Sequence, residues 1–386
     1  MMKRFEVVQK IPTPYRLHLF GEMWRQLKAR GIEFHVNFMS DMSRGYEGRP
    51  AAWRNPKIDF PHKYWRDFGI GEYHFNPGII HYLRITKPDY LLVGSTFDTF
   101  TSWAVSLLCK GGIRCAWSEG NTKTTGKLDG IRGWIKRAIF AQYPLVAVAG
   151  ADCAKYIALH QQFTSRTMPD PTYLPNLVDE TRFRPREKWN ADEIREIRQR
   201  FAANDGTRLC VIPARLEKVK GLVEFMSLLT PEMIHGWRII IMGQGSLRDE
   251  ILRLSRDRNI AKQIDILDFV PYDDMPKFYA AADLFLLPSL CDRNPLSVVE
   301  ALHSGLPIAL SNRAGNVEEA VSPGANGWIL PVGDKKAYAD TLREVFATGI
   351  EKLRIYGKYS LEHNSKFWTT KDAVARFLDR LISFQK

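Results

Sequence analysis

The chain has 386 residues, 45% of them apolar, 25% charged and 12% aromatic, with 55 lysines and arginines against 43 acids for a net charge of +12. That length suits two domains with ample core, and the composition excludes a disordered or collagen-like chain. The longest nearly apolar stretch, Ala138 to Ala151, is broken by Gln142 and Pro144 and falls short of the roughly 20 residues a membrane span needs.

Gln9, Lys10 and Pro12 interrupt the N-terminus before a signal-peptide apolar core can form. Cysteines at 109, 115, 153, 210 and 291 fit no disulfide or zinc spacing. A reduced, cytoplasmic setting is expected, with peripheral contact at the inner face of a membrane as an extension of it. Residues 1–180 carry +8 of the net charge, a surplus that suits nucleic acid, an anionic membrane or phosphorylated ligands. No zinc-finger spacing, RNA-recognition motif or basic heptad accompanies it, so nucleic acid is not expected as a partner.

In chain order, Arg4–Gln9 is predicted as a first strand, followed by a proline-rich turn and a helix through Leu17–Ala29. Glu33–Met39, Tyr90–Gly94, Arg114–Ser118 and Leu145–Ala149 follow as strands, the last three as the continuous apolar runs of a parallel sheet covered on both faces. Residues 41–78 show no clean period and are predicted as long loops. Lys127–Phe140 reads as a cationic amphipathic helix with Leu128, Ile131, Trp134, Ile135 and Ala138 on one face. Packing on the sheet is its ordinary explanation, and an anionic lipid surface is the alternative.

The charged segment Glu187–Arg200 reads as a linker or a solvated helix. Beyond it strands at Leu209–Pro213, Arg238–Met242, Ile264–Phe269, Leu284–Leu287 and Ile308–Leu310 alternate with helices at Leu222–Leu229, Leu247–Asn259, Met275–Ala282 and Leu296–Ser304. Such alternation predicts an α/β chain of two Rossmann-like domains with a ligand cleft at the carboxyl ends of the strands. The boundaries are set at 1–185, 186–365 and a terminal segment 366–386.

The chemistry concentrates in Leu287–Pro307. Pro295 stands where a first helical residue is favoured, and the N–H groups of Leu296 and Ser297 just inside that helix form an anion site. Glu300, one turn on, suits a ribose diol, and Asp292 suits sugar hydroxyls. The plainer alternative makes Asp292 and Asn294 helix caps and Glu300 a surface residue. Arg215 and Lys220, after the first strand of the second domain, would flank the same strand ends and can hold a diphosphate. A solvated basic loop is the plainer alternative. Gly243 and Gly245 end another strand there and permit close backbone approach.

Together these segments resemble the retaining nucleotide-sugar glycosyltransferases of family 4, which have the GT-B fold of two facing Rossmann domains. The resemblance rests on Arg215 with Lys220-Gly221, on Gly243 and Gly245, and on Asp292 through Glu300 running into Ala301, Gly305 and Pro307. Ala314-Gly315-Asn316, Glu318-Glu319, Asn326-Gly327 and Pro175-Asn176 with Asp179 and Phe183 extend it over about residues 140–345. It implies transfer of a sugar from a nucleoside diphosphate donor to a hydroxyl, with retention of configuration and no obligatory metal or other cofactor. Polysaccharide or glycoconjugate assembly, with a glycan, lipid-linked or small-molecule acceptor, is the setting it suggests. It also implies a terminal helix crossing back to the first domain. Arg215 and Lys220 become the groups that stabilise the departing diphosphate, and Gly243, Gly245, Asp292, Asn294, Pro295, Leu296, Ser297 and Glu300 the donor-binding set.

Two departures qualify it. Asp292 stands where the family usually has Glu, and the turn Lys10–Arg16 lacks the family's double glycine. Tyr15 and Arg16 are assigned to that loop as phosphate or acceptor contacts. Glu119, in the loop after an apolar strand of the first domain, is the ionisable candidate for an acceptor-side catalytic role, with a loop carboxylate as the plainer reading. The rivals are an epimerase or phosphorylase on the same fold and a non-catalytic membrane-associated binding protein.

Overall fold

The computed structural model describes residues 2–41, 57–70, 73–124, 128–203, 206–268, 270–271 and 273–384, without the side chains of 364–366. The chain divides into two compact units, Met1–Leu177 with Thr370–Lys386, and Val178–Thr369. The first change of unit thus precedes the expected 185/186 boundary. The reason is local: Phe183 sets its ring edge-on to Tyr279 at 5.5 Å, and Arg186 donates to the carbonyls of Ala280 and Ala281. The second change follows 365/366, because Phe367 and Trp368 still pack on His363.

The first unit is a seven-stranded sheet in the order β3-β2-β1-β4-β5-β6-β7. Its strands are β1 Arg4–Gln9, β2 Glu33–Phe38, β3 His62–Tyr64, β4 Tyr90–Val93, β5 Ile113–Ser118, β6 Leu145–Val148 and β7 Asp170–Tyr173. Every pairing is parallel. The central strands are buried on both faces, as their unbroken apolar runs require. Helices α1 Pro14–Ala29, α2 Pro77–Thr86, α3 Phe100–Leu108, α4 Gly130–Phe140 and α5 Ala151–Gln161 complete the crossovers. Pro14 opens α1 in the first turn, where its missing N–H costs nothing. Part of the predicted loop 41–78 is ordered: β3 and the start of α2 lie within it, whereas 42–56 fall outside the described residues.

The amphipathic helix packs on the core through part of its expected face, with Leu128 and Ile135 against the first unit's apolar cluster. Gly133, Arg137, Ile139 and Phe140 face inward, while Ile131 is 75% and Trp134 62% exposed. A Cβ at position 133 would meet the Leu128 carbonyl at 1.8 Å, and Arg137 donates to that same carbonyl at 2.7 Å. Lys127 lies outside the described residues.

The second unit is a six-stranded parallel sheet in the order β10-β9-β8-β11-β12-β13. The strands are β8 Arg208–Pro213, β9 Trp237–Met242, β10 Ile264–Leu267, β11 Leu284–Leu287, β12 Ile308–Ser311 and β13 Gly327–Leu330. Charged residues 191–200 form a helix, α6 Ala191–Arg200, capped by the Asn190 side chain and burying only Ile194. The connecting helices are α7 Leu222–Leu228, α8 Arg248–Asp257, α9 Met275–Ala281, α10 Leu296–His303 and α11 Val317–Ala320, with α12 Lys335–Ala347 and α13 Ile350–Phe367 after β13. The final helix, α14 Thr370–Ile382, belongs to the first unit. There His18 bonds the Thr370 hydroxyl at 2.9 Å and Arg30 pairs with Asp379 at 2.7 Å. No described helix is long and apolar enough to cross a membrane.

Buried Asp283 fastens α6 to the second sheet. Its carboxylate accepts from Arg186 and Arg198 at 2.9 Å each and from the Leu209 amide at 2.8 Å. Asp283→Ala leaves a buried amide unpaired and two guanidinium groups short of their counter-charge. It should lower the unfolding free energy by about 3 kcal/mol, measured by urea denaturation. A loss under about 1 kcal/mol would mean that water already satisfies these donors.

Candidate active site

Parallel pairing sends β8, β9 and β11 of the second unit toward one edge, and the turns after them carry most of the predicted residues. Arg215 is exposed beyond β8. Its turn is held against the β9 turn by the Leu216 amide donating to the Gln244 carbonyl at 2.9 Å. That approach needs glycine: a Cβ would stand 2.1 Å from the Ala214 carbonyl oxygen at Gly243, and 2.4 Å from that of Leu216 at Gly245.

Lys220 precedes Gly221, whose φ of +66° and 2.2 Å approach to the Pro288 carbonyl exclude a side chain. The close contact brings the β8 and β11 turns together. The Val219 carbonyl accepts from the Leu290 and Cys291 amides, and Lys220 Nζ meets Asp292 Oδ2 at 2.5 Å. Two residues given separate tasks in the sequence reading are therefore an ion pair. Asp292 is fixed further by its own backbone, which pairs with the β12 turn through the Arg313 carbonyl and the Gly315 amide.

Pro295 occupies the N-cap position of α10, one place before the expected first helical residue, and Leu296 begins the helix. The amides of Leu296 and Ser297 have no hydrogen-bond partner among the described residues. Asn294 is 8% exposed, and both of its side-chain amide atoms are buried without a partner. A short stretch thus holds unused donors at the positive end of a helix dipole.

Glu300 lies one turn into α10, and its Oε2 accepts from the Tyr279 hydroxyl at 2.6 Å. Burial pushes its carboxyl up to about 7, against the opposing pull of the Tyr279 hydroxyl and the positive charge of Arg182. Tyr279 was not singled out from sequence. It stands in α9 among other apolar residues, and nothing in its spacing marks a partner 21 positions away.

Tyr15, Arg16 and Glu119 belong to the first unit. Arg16 is 5% exposed. Its Nη2 pairs with Glu119 Oε1 at 2.5 Å, and its guanidinium lies 3.7 Å from the centroid of the Trp117 ring and 5.1 Å from that of Tyr15. Nε and Nη1 are buried without partners, as is the Thr13 hydroxyl one turn back. The loop after β5 is braced by Asn121 Oδ1, which accepts from the Lys123 and Thr124 amides. Among the described residues, no three His, Cys, Asp or Glu side chains gather as for a metal ion.

Residues 193–363, all in the second unit, match the family described as glycosyl transferases group 1. An uncharacterized glycosyltransferase of Methanocaldococcus jannaschii is 25% identical over 44% of this chain and 45% of its own length. Spore coat protein SA of Bacillus subtilis is 29% identical over 47% and 51%, so the chain spans about half of such relatives. A GDP-mannose-dependent phosphatidylinositol monomannoside mannosyltransferase of Mycobacterium tuberculosis is 26% identical over 51% and 53%. Among solved structures, Anabaena Alr3699/HepE in complex with UDP and glucose superposes with a TM-score of 0.71 at 14% identity, covering 98% of this chain and all of that one. The lipopolysaccharide glycosyltransferase WaaG gives 0.67 at 14%, covering 99% and 100%. The fold is GT-B, and the comparisons support a glycosyltransferase.

The raised carboxyl of Glu300 has a direct consequence. An unfolded glutamate titrates near 4.5, so between that pH and about 7 the folded chain keeps a proton the unfolded chain has lost. Stability from this group therefore falls as pH rises through the window. Glu300→Gln has no proton to lose, so its melting temperature should gain on wild type between pH 5 and pH 8. A difference that stays flat with pH would return Glu300 to the ordinary carboxylate range.

Proposed function

We propose that the protein is a glycosyltransferase moving a sugar from a nucleoside diphosphate to a hydroxyl acceptor with retention of configuration. The observation that carries this reading is the edge of the second sheet. There Arg215, Lys220 and the open amides of Leu296 and Ser297 offer positive charge and donors, and Glu300 offers a fixed carboxylate one turn away. The match of residues 193–363 supports the same reading.

In this mechanism the diphosphate takes Lys220 from Asp292, and Asp292 turns to the hydroxyls of the transferred sugar. Arg215 and the α10 amides meet the charge that grows as the glycosidic C–O bond breaks, where preorganised donors contribute most. Glu300 accepts from the ribose diol. These cations and amides supply the charge that a metal would otherwise bring, so activity should survive EDTA. Loss of activity that a divalent cation restores would sink that part of the reading. In the first unit the ion pair with Arg16 holds the Glu119 carboxylate in place, where it can accept a hydrogen bond from an acceptor hydroxyl.

A second observation bears on the acceptor. Exposed Ile131 and Trp134 with neighbouring Arg132 form an apolar, cationic face fit for an anionic membrane. Relatives named for diphosphoundecaprenol and phosphatidylinositol substrates point the same way. A lipid-borne acceptor fits both. Cosedimentation with phosphatidylglycerol vesicles should fall at least fivefold in the Ile131→Ser/Trp134→Ser variant and be weak on phosphatidylcholine. Equal binding to both lipids, or by both proteins, would remove the membrane from the account.

The Lys220–Asp292 pair yields the sharpest test. Asp292→Asn frees Lys220 while keeping the side chain's shape, so affinity for the bare nucleoside diphosphate should rise. Transfer should fall about ten- to hundredfold, the worth of hydrogen bonds to a charged acceptor. Lys220→Ala should weaken both. Calorimetry with UDP and GDP, beside turnover with their sugars, reads the two effects. Unchanged turnover in Asp292→Asn would make Asp292 a counter-ion only.

A further inference from the structure

The second unit holds a cavity of about 460 Å³ between α7 and α12, apart from the residues assigned to the donor. Its apolar lining is Leu228, Leu290 and Val332, with Tyr338 beside them and Ser227 on α7. Arg313 and Lys335 stand at its rim, both exposed. A Cβ on Gly333 would lie 3.7 Å from Arg313 Nη2, so the guanidinium leans over the turn that leads into Lys335. Neither cation has a hydrogen-bonding or charged partner for its side chain among the described residues. Glu224 on α7 is the one carboxylate of the lining, which leaves the rim a net positive charge. Tyr338 is 3% exposed and its hydroxyl is buried without a partner, a state that native structures rarely leave unanswered.

We propose that this cavity is a second ligand site, for a small organic anion with an apolar body. The volume is within the range of small-molecule sites, and apolar walls with a few converging polar groups are their usual make-up. The apolar body would cover Leu228, Leu290 and Val332, and the anionic group would take Arg313 and Lys335. The site adjoins the donor loop without sharing its groups. Leu290 lies two residues before Asp292, and the Arg313 carbonyl accepts from the Asp292 amide at 3.4 Å.

The test is calorimetric titration of the full chain with 2-naphthoate, an aromatic carboxylate of suitable size. One saturable site with a Kd below about 1 mM is expected. Arg313→Glu/Lys335→Glu removes the rim charge at exposed positions, and Ser227→Trp fills the cavity while leaving that charge. Each should weaken binding at least tenfold, while Lys220→Ala should bind within threefold of wild type. Absence of binding up to 10 mM, or an affinity unchanged in either cavity variant, would overturn the proposal. Loss of binding in Lys220→Ala would do so as well, by showing that the carboxylate sits at the proposed phosphate site instead.

Discussion

Because every strand of each sheet runs in the same direction, all the carboxyl ends of that sheet lie along one edge. Each is followed by a turn before its helix returns, and those turns can vary without disturbing the buried strands. Arg215, Lys220, Asp292 and the start of α10 are neighbours for this reason, though they span some 80 positions of sequence. What the edge does not fix is the height of each turn. The close approaches at Gly221 and Gly243 set that, by letting the β8 turn lie backbone against backbone with the β11 turn and with the β9 turn respectively.

A cluster of cations at such an edge is costly while no anion is present, and the molecule answers with internal carboxylates. Lys220 and Asp292 are 17% and 13% exposed as side chains, and Arg16 and Glu119 are 7% and 32%. Charges this far from water need a partner of opposite sign. Under the proposed function the pairing carries a cost, since an incoming diphosphate would replace Asp292 on Lys220. That exchange becomes favourable when the freed carboxylate finds new donors in the same ligand, as a sugar would provide. Arg16 is held differently. Stacked on Trp117 and closed in on its remaining nitrogens, it acts on its surroundings through Glu119.

Much of the fold was legible because its signals are local. Apolar runs marked β4, β6, β8, β9 and β11 to within a residue or two, and the turns between them carried their glycines and prolines. The strands missed were edge strands with one pairing neighbour each: β3 His62–Tyr64 and β7 Asp170–Tyr173, which have few apolar residues, and the short β13 Gly327–Leu330. The amphipathic reading of α4 held for Leu128 and Ile135, which pack on the core, and failed for Ile131 and Trp134, which are exposed. The motif residues of the second unit were readable as types with a spacing. Which of them touch was not, because the Lys220–Asp292 and Tyr279–Glu300 contacts depend on how separate turns and helices are stacked.

Glu300 shows why that stacking matters. The Tyr279 ring lies edge-on to Phe183 at 5.5 Å and stacked near Phe285 at 6.3 Å, so its hydroxyl is held by carbon contacts and cannot follow a moving carboxylate. Glu300 must therefore come to the tyrosine. Its Oε2 is fixed there, and Oε1 accepts no hydrogen bond among the described residues. Burial favours the neutral acid at this position. A vicinal diol, which donates hydrogen bonds, favours the carboxylate. The two influences oppose, so a diol arriving at Oε1 lowers the affinity of Glu300 for its proton and is itself held more firmly once that proton has left. Under this linkage a rigid tyrosine does more than orient the carboxylate. By donating to the ionised form, it opposes the rise that burial imposes on the carboxyl, and under the proposed function a bound diol would act in the same direction.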